Sequence, residues 1–395
     1  MKPIFKLLFV VALCMLVVMS SFAAGYGTRW YFNHDSPTAA EAADFGLFWE
    51  AWHILKRDFY GKVPEQHQMV YGAVRGVLSL LDDPHTVLVE PQPRQLEKDN
   101  LKGSFGGIGA YIRRNEAGQV AIKVMEDSPA KRAGLKDNDV LLKIDGKDVT
   151  AQMSEQDIVL LIRGPIGSVV KVTISRPDVS EPIEVPVTRE KIETPTVAWK
   201  VLDNNIGYIS LNLFGERTSK ELNGALNELK NKEVKGLVLD LRNNPGGLLD
   251  AAVDVAGQFI GPKVVLHERK KDGSEKTYTA STSAVGPDVP IAILANKNTA
   301  SASEIVAGAM KDVMKVPIIG EKTFGKGSVQ LVYDLSDGSS LHVTVAHWFT
   351  PDDRQINQQG LSPDQEVTIT PEDQAQGKDP QLDKALEYLR QKTSS

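Results

Sequence analysis

Between residues 206 and 319 the chain alternates short, apolar, β-branched runs with stretches of helical period, and this alternation limits the fold more than any other feature. The runs at 206–211, 234–241, 263–266, 290–294 and 316–319 are bounded by turn residues and too short for helices, so they read as strands. Between them, 219–229, 248–259 and 303–314 repeat apolar residues every three or four positions, as helices packed on one face do. The pattern predicts an α/β core with βαβ units. In open sheets of that kind sites form where strands end, which singles out the turns after 234–241 and 290–294.

The first turn is Leu239-Asp240-Leu241-Arg242-Asn243-Asn244-Pro245-Gly246-Gly247, a glycine-rich passage from a buried strand to a helix opening at Leu248. The second holds Thr299-Ala300-Ser301-Ala302-Ser303-Glu304-Ile305, where a helix begins. The first N–H groups of a helix lack internal partners and favour negative charge. Ser301 or Ser303 suits an N-cap there, and Ala300 and Ala302 are small enough for a substrate backbone to approach. Downstream, Lys326 lies between two glycines in a turn before the strand-like run 329–335, by default a solvated lysine. The stretch Gly320 to Lys326 also matches the opening of a phosphate-binding loop, but Gly327 stands where Ser or Thr must hold Mg²⁺. A strand pattern follows where the phosphate-binding helix belongs, so a nucleotide site is not expected.

Together these segments resemble the carboxyl-terminal processing proteases, a family of serine proteases with a lysine general base. The similarity runs from about Asp44 to Gly360-Leu361-Ser362-Pro363-Asp364. It implies Ser301 as nucleophile, Lys326 as base and Gln330 as its support, with an oxyanion site from Ala302 and a glycine of the first turn, Gly247 in preference to Gly246. A serine hydroxyl needs an adjacent base, and lysine serves only when neutral, which requires burial away from water and carboxylates. Alternation along a strand puts Lys326 and Gln330 on one face.

From residue 102 to 189 the text changes to short strands and glycine turns: a glycine loop at Phe105-Gly106-Gly107-Ile108-Gly109-Ala110, short helices at 128–135 and 154–162, and a turn and strand at 137–146. This segment resembles a PDZ domain of the protease-associated kind. The resemblance implies that Gly107, Ile108, Gly109 and Ala110 hold a substrate C-terminus as an added strand, and that Ile158 helps to line its side-chain pocket. Arg163, beside the Gly164-Pro165 joint, is the candidate relay to the active site.

Residues 1–24 read as a signal peptide or N-terminal anchor, with Lys2 and Lys6 before an apolar core and the exit Ser21-Phe22-Ala23-Ala24. The chain is therefore expected to be exported, periplasmic or otherwise extracytoplasmic, and tethered to the membrane if the segment stays. The only cysteine, Cys14, falls inside it, which leaves the exported part without disulfides. Residues 25–40 form a linker and 41–101 an N-terminal helical region whose aromatic cluster (Phe45, Phe48, Trp49, Trp52) reads as helix-packing core, with any exposed part a homodimer surface. The loop histidine His85 reads as structural. The protease core spans 190–370, with a polar cleft loop at 280–288, and the tail 371–395 carries one amphipathic helix that docks or dimerises.

A net charge of −6 over 395 residues argues against nucleic acid as partner. No histidine pair has zinc-site spacing, and no cofactor is expected. The expected fold is an α/β protease core with an inserted, mostly-β PDZ domain and an N-terminal helical region. The expected function is that of an exported serine endopeptidase that selects protein or peptide substrates by their C-termini and is gated by PDZ occupancy. The alternative is a non-catalytic C-terminus-binding envelope adaptor or holdase with a degenerate core. Against it, every catalytic position the family requires is filled.

Overall fold

The computed structural model describes residues 39–177 and 179–393. The targeting segment and residues 25–38 of the linker lie outside the described residues. Contacts divide the chain into two units, one ending at Ala73 and one running from Val74. In the first, helix Ala39–Asp58 leaves Phe45 and Trp49 of the expected packing core open to solvent, together with Ile54 and Leu55, while Phe48 and Trp52 are half-buried. Apolar residues are spread around this helix instead of forming one stripe, so no single packing face can cover them.

In the second unit a six-stranded sheet carries the α/β core. Val197–Leu202 runs antiparallel to Ile206–Leu211, which is followed in space by Gly236–Asp240, Ile291–Ala295, Ile318–Gly320 and Gln365–Glu366, all parallel. Helices Thr218–Asn231, Leu249–Ile260 and Ala302–Met314 supply the crossovers and bury Leu226, Val255 and Met310 with Leu237, Leu239 and Ile293. Alternate residues Val238 and Leu294 point to the opposite face, where Ala385 and Leu389 of helix Pro380–Thr393 cover them. Burial on both faces is why these strands read as continuous apolar runs. The tail helix docks.

The run expected at 263–266 belongs elsewhere. Val264–Lys270 joins a second sheet, pairing antiparallel with Glu275–Thr279 and Ser340–Phe349. Ser340–Phe349 also pairs with Val87–Val89 and with Ser328–Asp334. The polar alternation of Val264–Lys270, seen in His267 and Arg269, suits a strand half exposed to water. The loop expected at the cleft is displaced too: Val285 N–H donates to the Gln258 carbonyl, and a Cβ on Gly257 would strike Thr282, so residues 280–288 lie against helix Leu249–Ile260.

The insertion begins and ends in a ribbon, Ser104–Gly107 paired antiparallel with Glu190–Glu193. Inside it, strands Ala110–Arg114, Val120–Val124, Val140–Ile144, Val169–Ser175 and Ile183–Thr188 form an antiparallel sheet over Ile108, Ile122, Ile144 and Val172. Helix Glu155–Ile162 starts with a capping box: Ser154 Oγ accepts from Asp157 N–H at 3.1 Å, and Asp157 Oδ2 accepts from Ser154 N–H at 2.9 Å.

Candidate active site

Ser301 occupies the step between strand Ile291–Ala295 and helix Ala302–Met314 with φ 54° and ψ −118°. An L-residue in this region is strained by about 1–3 kcal/mol, held only where the surroundings determine it. Two neighbours do so. Asn244, fully buried, accepts Ala300 N–H and the Ser303 hydroxyl at its carbonyl, both at 3.0 Å. Its side chain meanwhile donates to the Leu211 carbonyl at 2.8 Å and accepts Gly246 N–H at 2.9 Å. Glu304, equally buried, accepts Ser301 N–H at 2.9 Å.

The same carboxylate organises the lysine turn. Glu304 Oε1 accepts the Thr323 hydroxyl at 2.5 Å and Gly325 N–H at 2.8 Å, while Oε2 accepts Lys326 N–H at 2.9 Å. Burial pushes this carboxyl upward from its ordinary range, and the four donors oppose that. The Glu304 role was not read from the sequence, although its spacing, three residues after Ser301, is that of a capping box. Trp348, 2 % exposed, completes the turn by donating Nε1–H to the Lys326 carbonyl at 3.2 Å.

The Lys326 amine donates to Gln330 Oε1 at 2.8 Å. In turn the Gln330 amide donates to the His85 carbonyl, so His85 contributes through its backbone, as a loop residue. That loop is tied down by Asp83, which accepts His85 N–H at 3.0 Å and the Thr86 hydroxyl at 2.6 Å. Burial holds the Lys326 amine below the ordinary lysine range, with Glu97 and Asp83 pulling the other way. Among the described residues no hydrogen bond joins the Ser301 hydroxyl to this amine. The two share a cavity of about 760 Å³, lined also by Gly246, Gly247, Ala302, Glu97 and His342.

Of the two glycines, Gly246 lies against the serine itself, for a Cβ there would come within 2.8 Å of Ser301 Cβ. Its N–H is taken by Asn244. The Gly247 and Ala302 N–H groups have no acceptor among the described residues and border the same cavity.

A second groove lies in the insertion, lined by Gly107, Ile108, Gly109 and Ala110 as expected. Gly109 has φ 71° and touches Ser128, a position no side chain would fit. Ile158 does not line the groove. It is fully buried in the domain core, and one residue of rotation along the helix brings Glu155, Val159 and Ile162 to the groove instead. The adjoining face, Gln156, Asp157 and Leu160, lines the Ser301 cavity, so a single helix borders both. Arg163 stacks its guanidinium 3.4 Å over the Phe105 ring and donates to Asn100 Oδ1 at 2.9 Å. Burial pushes it down to about 10, with Asp99 opposing. Asn100 is itself a residue of the Ser301 cavity.

Comparison with known proteins agrees with this architecture. Residues 205–367 match the model for peptidase family S41, and residues 120–176 match that for a PDZ domain. The carboxy-terminal processing protease CtpA of Bacillus subtilis is 34% identical over 364 residues, covering 92% of this chain and 77% of that protein. The carboxyl-terminal-processing protease of Synechocystis is 35% identical over 322 residues, 80% of this chain and 75% of the relative. A solved S41-type structure from Bacteroides fragilis shares the fold, with a TM-score of 0.51 at 18% identity over 78% of this chain and 86% of that one.

Proposed function

The chain belongs to the carboxy-terminal processing proteases of peptidase family S41, serine endopeptidases acting on protein or peptide substrates, and on that premise we propose that Ser301 and Lys326 are its catalytic dyad. The observation that carries this reading is the strained Ser301 turn, which shares one cavity with a buried, downshifted amine and two free N–H groups.

In this reading a substrate carbonyl docks with its oxygen toward the N–H groups of Gly247 and Ala302. The Lys326 amine takes the Ser301 hydroxyl proton as Oγ attacks, and the oxyanion gathers the two N–H donors. The ammonium then gives its proton to the leaving amine, and the same lysine activates the water that releases the acyl group. Gln330 holds the amine between these steps.

The PDZ groove takes the substrate C-terminus against Gly107 to Ala110, with Val159 and Ile162 meeting its last side chain. Occupancy is felt at the active site through helix Glu155–Ile162, which borders both cavities, and through Arg163 and its hydrogen bond to Asn100. The proposal extends to export, with residues 1–24 as the signal or tether, and to a homodimer through the exposed apolar residues of helix Ala39–Asp58. No described helix is long and apolar enough to cross a membrane.

The test is degradation of an unfolded protein with an apolar C-terminus, with and without a C-terminal peptide. Ser301→Ala and Lys326→Ala are expected to abolish cleavage, by about 10⁴-fold or more. Arg163→Ala is expected to keep basal cleavage and lose stimulation by the peptide. Cleavage that survives Lys326→Ala would discard the dyad.

A further inference from the structure

Apart from the groups assigned to the reaction, the Ser328 hydroxyl is an unpaired polar atom in the lining of the Ser301 cavity. Ser328 is 6 % exposed, and its Oγ is buried with no hydrogen-bond partner among the described residues. A buried hydroxyl left unpaired is costly and rare enough to need a reason. Ser328 also lines the cavity that holds Ser301, Lys326 and Gln330.

Its place in the chain explains what it lies next to. Ser328 opens strand Ser328–Asp334, between Lys326 and Gln330 in the chain, and at about 3.3 Å per residue an extended backbone separates those two by at most about 13 Å. The Lys326 amine nevertheless reaches Gln330 Oε1 at 2.8 Å. Ser328 lies between the two in the chain and lines the same cavity.

Donor arithmetic supplies the function. A neutral lysine amine has two N–H donors and one lone pair; protonated, it has three donors. Gln330 Oε1 takes one. With a single acceptor the amine still rotates about its terminal bond, and the lone pair has no fixed direction. A second acceptor within reach of the amine fixes the rotation and leaves the lone pair, and later the third N–H, facing Ser301.

We propose that Ser328 is a positioning residue for the Lys326 amine, its Oγ accepting the second N–H during catalysis so that the lone pair is aimed at the Ser301 hydroxyl. No covalent change occurs at Ser328. The proton passes from Ser301 Oγ to Lys326 Nζ as the Oγ–carbonyl bond forms, and from Nζ to the leaving amine as the peptide bond breaks. The inference rests on the Ser301–Lys326 reading.

The experiment compares Ser328→Ala and Ser328→Thr with the parent in steady-state cleavage of a peptide ester and of an unfolded protein, across pH, alongside thermal melting. Ser301→Ala and Lys326→Ala serve as controls for the dyad. The expected result for Ser328→Ala is a fall in kcat of about tenfold, the loss of one hydrogen bond to the amine, with KM unchanged. Its melting temperature should hold or rise, since an unpaired buried hydroxyl has been removed. The acid limb of kcat should move to lower pH, because a hydrogen bond to the ammonium is stronger than one to the amine. Ser328→Thr keeps the oxygen and should recover most of the rate. A Ser328→Ala enzyme with the parent's kcat and pH profile overturns the proposal while dead dyad controls leave the dyad standing; activity in Lys326→Ala removes the dyad, and the proposal with it. Loss of activity in step with a lowered melting temperature, or a Thr variant that melts like the parent yet stays as slow as Ala, also overturns it.

Discussion

Glu304 shows how one side chain connects both halves of the proposed dyad. Its two oxygens accept four donors, from Ser301, Thr323, Gly325 and Lys326. Glu304→Gln would put an NH₂ in place of one oxygen, so two of those donors would meet a donor. The expected cost is about 2–4 kcal/mol in denaturant melts, from buried groups left unpaired, and a fall in kcat of about a hundredfold as Ser301 and Lys326 lose register. A variant that melts like the parent and cleaves normally would show that Glu304 holds neither. A second residue-scale expectation concerns pH. Burial lowers the Lys326 pKa, and Glu97 is first among the groups that raise it. Cleavage should therefore increase with pH as the lysine loses its proton, along a limb below the ordinary lysine value of about 10.4. Glu97→Gln removes a negative charge that favours the ammonium, so its limb should lie at lower pH. An unmoved limb would mean that another group sets it. Gly246 is a residue whose need is steric: Gly246→Ala would force Cβ onto the Ser301 side chain and the Ala302 N–H, and little activity should remain.

At the scale of elements, helix Glu155–Ile162 makes the sharpest claim, because its faces serve three surroundings. Ile158→Ala should cost about 2–4 kcal/mol by opening the insertion's core. Val159→Asp should leave the fold intact and weaken binding of an apolar C-terminal peptide more than about tenfold, measured by fluorescence anisotropy. Equal effects from the two substitutions would contradict the assigned faces. This helix also shows where sequence reading stops. Residues 158–162 are all apolar, so period alone cannot say which of them meets the groove, and Ile158 was the wrong face. The parallel strands and their helices were legible because two-sided burial and a helical stripe leave strong local patterns. The second sheet was not, because Val87–Val89 pairs with Ser340–Phe349 across the whole insertion, and no local period records a partner some 250 residues away. For the same reason the bond from Gln330 to the His85 carbonyl was invisible, while the residues gathered around Ser301 stood in recognisable order.

For the whole molecule, the insertion divides the catalytic unit, so segments from both sides of it must meet. Helix Pro91–Lys102 precedes the PDZ segment, and its Arg94 and Lys98 pair with Asp334 on the strand that follows Lys326. The chain's other end is fastened just as specifically. Arg242, at the head of the turn carrying Gly247, lies between Asp240 and Asp379, bonding Asp240 at 2.6 Å and Asp379 at 2.9 Å, and it also reaches Gln381 at 3.1 Å. Asp379 and Gln381 belong to the start of the tail helix, whose Leu389 is fully buried against the sheet. The tail thus has two separable links to the rest of the enzyme, one apolar and one ionic. Leu389→Ala removes packing far from the Arg242 contact, and it should lower stability by about 2–5 kcal/mol while the folded fraction keeps its kcat. Asp379→Ala leaves Arg242 paired with Asp240, so its stability cost should be smaller, about 1–3 kcal/mol. It frees one side of the residue that leads into the Gly247 turn, however, and kcat should fall while KM holds. The check is to measure both variants by denaturant titration and by single-turnover cleavage at a temperature where each is folded. If Asp379→Ala keeps the parent's kcat, the ionic link serves stability alone; a lower kcat in the folded Leu389→Ala enzyme would instead mean that tail packing itself shapes the site.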